Sequence, residues 1–202
     1  MHGIRLIGVD NPTAQRTSAT VPRACASLTC MNIARGMVKI DGIGFADLPR
    51  IGLFATDTTA RGDEVAVGDE PAARELGDGV LIVHGHSDLT ELDESFAGTF
   101  GTRVVAVSNA AGVSTLSVSE GDGTRRHLVD ALEESRLETG EPLDEEAGHH
   151  RLTEESALAL FERLTGTRRD DIAAAEFTML RPAQEHDETE DRPFIKRLFG
   201  LH

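Results

Sequence analysis

Arg103-Val104-Val105-Ala106-Val107, then Asn109-Ala110-Ala111-Gly112, then Ser114-Thr115-Leu116-Ser117-Val118, then Glu120-Gly121-Asp122-Gly123: this stretch decides the fold. Two short β-prone runs are each followed by a turn segment that contains glycine, the residue best able to take a positive φ. In the second run Leu116 and Val118 alternate with Ser and Thr, so one face of the strand is apolar and the other is expected to be wet. Arg126 to Val129 can return as a third strand. An antiparallel meander with one solvated face predicts an α+β layer rather than a doubly wound sheet.

The same pattern recurs outward from there. Leu28 to Ile33, Met37 to Ile40, Ile51 to Phe54, Val65 to Val67 and Val80 to Val83 are short apolar runs punctuated by Gly, Asp and Asn, and residues 4–9 add a short strand. Such lengths and boundaries are strand-like. Two helical segments interrupt them. Leu89, Leu92, Phe96 and Phe100 repeat at three to four residues behind a Ser87/Asp88 cap, predicting a helix over 88–98. Thr153 can cap a helix over 154–165, with Ala157, Leu160, Phe161 and Leu164 as its stripe and Gly166 as its stop. A short helix over 169–175 and a closing strand from Phe177 to Leu180 follow. The prediction is a twisted, mainly antiparallel sheet of six to eight strands with two or three packed helices.

The organisation is a single domain over 24–180, preceded by an N-terminal strand and a Pro/Ser/Thr-rich loose arm over 1–23. Residues 130–151, acidic and interrupted by Gly140, Pro142 and Gly148, read as a surface loop at most. Over 181–202 lie an acidic linker, densest at 185–191, and an amphipathic tail. In a helix the tail places Phe194 with Leu198 and Ile195 with Phe199, beside Lys196 and Arg197. These residues, Phe194, Ile195, Arg197, Leu198 and Phe199, are the candidate interaction site.

Composition restricts the partners. Acidic residues number 35 against 20 basic ones, a net charge of −15. Residues 1–50 carry six basic and three acidic residues, a net +3, which leaves −18 for the remainder. A field of that sign repels phosphate backbones and anionic lipid, so neither nucleic acid nor membrane is the expected partner. With no Trp, no Tyr and eight Phe, the chain has little to stack on bases or sugars. No apolar run approaches the roughly 20 residues of a membrane helix. The first eight residues are too short for a signal peptide, which predicts a cytoplasmic protein. Cys25 and Cys30 lack the partners of a structural zinc site and read as free thiols.

No motif selects a catalytic set, a cofactor or a metal. His84-Gly85-His86 closes a strand and resembles the last metal-binding segment of calcineurin-like metallophosphoesterases, but the other segments such a site needs are missing. His84 and His86 therefore stand as weak metal candidates, two ligands short of a site. His149 and His150, near Glu145 and Glu146, would bind a divalent ion only adventitiously. No Gly-x-Ser-x-Gly elbow and no phosphate loop occurs. Residues 158–176 have helix-turn-helix spacing around Gly166 and Ile172. Glu162, however, stands where a small apolar residue would let the helices cross, and Asp170 and Asp171 would face phosphates.

Three segments together resemble an actinobacterial domain of unknown function: Ser27 to Gly36, Gly101 to Val118, and Leu160 to Ile172 leading into Glu176-Phe-Thr. The resemblance spans about 25–180. It implies a fold and supplies no activity or catalytic residue. The functional expectation is a non-catalytic protein-binding module, immunity- or inhibitor-like, whose acidic surface meets a basic protein. One alternative is a small-molecule binder or enzyme with a site near His84 and His86. The other is a structural subunit, a homo-oligomer assembled through its C-terminal tail.

Overall fold

The computed structural model describes residues 36–65, 70–84, 93–121, 123–131 and 136–183. Nine strands form one sheet: β1 (Gly36–Asp41), β2 (Leu53–Arg61), β3 (Ala72–Leu76), β4 (Gly79–His84), β5 (Val104–Ala110), β6 (Val113–Glu120), β7 (Gly123–Ala131), β8 (Leu137–Gly140) and β9 (Glu176–Pro182). Their order across the sheet is β2-β9-β3-β4-β1-β5-β6-β7-β8, and every neighbouring pair is antiparallel. The helices are α1 (Gly62–Val65), α2 (Asp93–Phe100), α3 (Glu154–Thr165) and α4 (Arg169–Ala174), with 3-10 turns at Phe45–Ile51 and Asp144–Glu146. The fold is α+β, as the central meander requires. None of these helices is long and apolar enough to cross a membrane.

The hairpin at the centre forms as the turn chemistry dictates. Ala110 pairs with Val113, leaving Ala111 and Gly112 as a two-residue loop with φ of 49° and 81°. Positive φ at both loop positions is what the right-handed twist of a tight hairpin demands. The late helix also behaves as its sequence says. The Thr153 side chain accepts the Ser156 N–H, and Gly166 ends α3 at φ 70° while its N–H reaches the Glu162 carbonyl. Ala157, Leu160, Phe161 and Leu164 are buried as one stripe.

Two hydrophobic layers hold the sheet. On one face α3 and α4 cover Met37, Leu81, Val83, Val105, Val107, Leu116 and Leu128. On the other, α2 and the 45–51 turn cover Val38, Ile40, Ile82, Val104 and Ala106. Strands β4, β1 and β5 are thus buried on both faces and are mainly apolar, with Lys39, His84, Ser108 and Asn109 as buried polar exceptions. The expectation of one wet face is corrected here. Ser117 and Ser119, on the polar side of β6, are fully buried, and both hydroxyls donate to Asp93 at the start of α2.

Further corrections concern strand limits and number. The sheet exceeds the predicted six to eight strands because β3 and β8 carry no strand signal. Val65 ends the helical turn α1 instead of opening a strand: Gly62 lies so close to the Ile172 carbonyl that a Cβ would sit 1.9 Å from it. Ile51 closes a 3-10 turn, and the strand that follows runs on to Arg61. Residues 130–151 are more than a loop, since they include β8 and the buried side chain of Glu146. Predicted strands at 4–9 and 28–33, the arm over 10–23, Cys25 and Cys30, residues 66–67 and 88–92, and the linker and tail beyond 183 lie outside the described residues.

Candidate functional site

His84 ends β4 opposite Gly36 and is completely buried, so it does not stand in an open metal-binding cleft. His86 and the tail residues Phe194, Ile195, Arg197, Leu198 and Phe199 lie outside the described residues. His149 is half-buried and His150 exposed. Glu146 cannot join them at a metal, because it is committed to Arg126. No three His, Cys, Asp or Glu side chains come together as a metal site among the described residues. Glu162, which opposed a helix-turn-helix crossing, instead accepts the Arg169 N–H at 2.6 Å and so caps the start of α4. Asp170 and Asp171 are exposed in the first turn of α4.

What the structure brings together is a set of arginine–carboxylate pairs along β7, β8 and the segment before α3. Arg126 is 1% exposed and sits on the inward face of β7. Its Nε and one terminal nitrogen each bond Glu146 at 2.7 Å, the same terminal nitrogen reaches Glu138 at 2.8 Å, and the other donates to the Gly140 carbonyl at 2.9 Å. Gly140 makes the approach possible. At φ 84° with its Cα pressed on β7, an added Cβ would meet the Arg125 carbonyl at 2.0 Å. Arg136 adds a contact to Glu138 at 2.9 Å and to Glu146 at 3.9 Å. Four residues further along β7, Arg151 grips Asp130 through two nitrogens, and the Leu152 N–H joins the same carboxylate at 3.0 Å.

These contacts move the protonation equilibria. For Glu146, burial is the largest influence and raises the pKa. Hydrogen bonds from Arg126 and the Leu143 N–H, with the positive charges of Arg126 and Arg136, outweigh it and leave the carboxyl lowered. The Arg151 hydrogen bond holds Asp130 below its ordinary value against the opposing effect of burial. Both groups bind protons more weakly folded than unfolded. The stability they contribute is present above about pH 4, where the unfolded carboxyls ionise, and is lost as pH falls through their lowered folded values. Stability measured across that acid range should therefore fall with pH, and the fall should be shallower in Glu146→Gln. An unchanged slope would show that Glu146 does not titrate as described.

Clefts accompany the charged groups; one of about 500 Å³ lies beside Arg103, Glu120, Arg125 and Glu145, and two others are more informative. The first, about 470 Å³, lies between the β5–β6 turn and the start of α3; Asn109, Ser114, Asp130, Arg151 and Leu152 are among its lining residues. The second, about 380 Å³, is at the other end of the sheet. There Lys39, only 3% exposed, bonds Asp41 at 2.8 Å and faces Asp78 at 3.6 Å, while Arg103 lies 3.9 Å from Asp41. Its charges cancel locally, which leaves no unbalanced charge to attract an ion. None of the residues that carry these arrangements (Asn109, Arg126, Asp130, Arg151, Lys39) was singled out by the sequence pattern. The available signal was a polar residue at an inward position of an alternating strand. Comparison with family models, curated proteins and solved structures finds no match.

Proposed function

We propose that the protein is a non-catalytic binding module that engages a basic protein through its acidic surface. The observation that supports this is the disposition of the arginines. Seven described cations, Lys39, Arg61, Arg103, Arg125, Arg126, Arg136 and Arg151, lie in ion pairs with the chain's own carboxylates. Among the described residues, most carboxylates outside these pairs are exposed. Some of them border an edge strand: β8 is the last strand of the sheet, with all four residues exposed. Leu137 is 64% exposed, the one large hydrophobic residue so placed among the described residues, and exposed Glu141 and Asp144 follow it. An open edge offers main-chain hydrogen bonds to an added strand, the leucine offers an apolar anchor, and the carboxylates select a lysine- or arginine-rich segment. The resemblance to the actinobacterial domain belongs to the same proposal and brings no catalytic residue with it.

The full chain, immobilised, should retain a basic protein from its source cells, and retention should fall steeply as salt is raised. The charge-reversed variant Glu141→Lys/Asp144→Lys changes exposed side chains and should fold normally while losing that protein. Equal retention by the variant, or retention indifferent to salt, would refute the reading.

A further inference from the structure

We propose that the cleft between the β5–β6 turn and the start of α3 binds a small uncharged molecule that presents a hydrogen-bond donor beside an acceptor, as a carboxamide or an aminopurine edge does. Asn109 carries the argument. It is 6% exposed, and neither its side-chain nitrogen nor its side-chain oxygen has a hydrogen-bond partner. A buried amide left unpaired on both sides forfeits the hydrogen bonds it would make to water, and a leucine of similar shape would incur no such loss.

Local structure does not require an asparagine there. Asn109 precedes the two-residue turn and lies within the ladder, paired with Ser114, so turn geometry is served by Ala111 and Gly112 without it. By strand alternation it shares the α3 face with Val105 and Val107, the face on which the cleft opens. Ser114 is opposite Asn109 and Asp130 is opposite Ser114, so three buried polar side chains form one row across β5, β6 and β7.

The row also defines the ligand. Asp130 is already occupied by Arg151 and the Leu152 N–H, so the pair's charges are spent on each other and an ionic ligand gains little. The unspent capacity is the planar amide, one face of donors and one acceptor side by side. Its natural complement is a second such edge; asparagine meets the amino and ring-nitrogen edge of adenine in this way in nucleic-acid recognition. Ala110, Ala111, Val113 and Leu152 supply apolar walls, and about 470 Å³ suits a molecule of that size.

Adenosine and nicotinamide, titrated separately into the nitrogen-15-labelled full chain, distinguish a purine edge from a bare carboxamide. The Asn109 side-chain amide signals and the Gly112 backbone signal should shift saturably with one of the two. Asn109→Leu should weaken that binding at least about tenfold while leaving the rest of the spectrum in place. Should Asn109→Leu fail to fold, Asn109→Asp, which replaces the donor by a second acceptor, is judged by the same criterion. No saturable shift with either probe overturns the proposal, as does binding that survives the substitution.

Discussion

Replacing Arg126 by methionine is expected to destabilise the protein by about 3–5 kcal/mol, the usual result of removing one member of a buried ion pair. The side chain is 2% exposed, and its partner Glu146 is 8% exposed. Methionine fills the path of the arginine stem, so packing changes little and the loss reports the charge. What remains is a carboxylate enclosed with the Leu143 N–H at 3.0 Å and a distant Arg136 at 3.9 Å. Neither replaces two 2.7 Å charge-assisted bonds. The neighbouring pair Arg125–Glu120 has the same 2.7 Å separation with side chains 60% and 40% exposed. The distance is equal there, but one bond replaces two and the pair is open to solvent, so Arg125→Met should cost no more than about 1 kcal/mol. Removing both buried charges together, in Arg126→Met/Glu146→Leu, should recover most of the loss. Urea unfolding of the three variants and wild type measures each difference. Arg126→Met no costlier than Arg125→Met would mean that the pair is not buried in solution.

That pair also explains why residues 130–151 misled the sequence reading. Glu138, Glu141, Asp144, Glu145 and Glu146 look like a self-repelling run when counted along the chain. Arg126 neutralises two of them from another strand, and no local window contains both Arg126 and Glu146. The strand Ala72–Leu76 was hidden for a different reason. Ala-Ala-Arg-Glu-Leu favours helix, yet β4 and β9 flank it, and Ala72 and Ala73 are completely buried there. Tertiary pairing overrides a weak preference. The position of β9 between β2 and β3 is likewise set by long-range pairing.

Where the physics is local, the sequence sufficed. The hairpin and the capped helix α3 were legible because turn, cap and stripe all lie within a few residues, although the turn expected over Asn109–Gly112 is confined to Ala111 and Gly112, with Asn109 and Ala110 still in the ladder. The clefts were not, but they left a trace. Val105 and Val107 lead by alternation to Asn109, and Leu128 lies between Arg126 and Asp130, so polar side chains stand at inward positions of both strands. Polarity at a position that periodicity assigns to the core is the available signal, and it marks Asn109, Arg126 and Asp130 together. Ser117 and Ser119 show the converse. Ser117 alternates with Leu116 and Val118 in the sequence, and only Asp93 from a distant helix turns the apparent wet face of Ser117 and Ser119 into a buried one.

Phe161→Ala is the second large expected effect, about 3–5 kcal/mol. Phe161 is completely buried at the middle of the α3 stripe. Among the buried residues of that layer it shares the ring volume with Phe177 alone; the rest are aliphatic. The layer around the hole consists of Val, Leu, Ala, Ile, Met and Phe side chains, several of them on strands that are packed on both faces. Such walls relax little, which places the cost toward the cavity-dominated end of the range. Phe161→Leu keeps much of the volume and should cost about 1.5 kcal/mol or less. Phe45 offers the contrast: it is only partly buried at the margin of the opposite layer, so Phe45→Ala leaves a space that water can enter and should cost clearly less. Denaturant midpoints at constant slope rank the three substitutions. If Phe161→Ala costs no more than Phe45→Ala, α3 is not seated on the sheet as described, and the cleft beside its first turn would lose its wall.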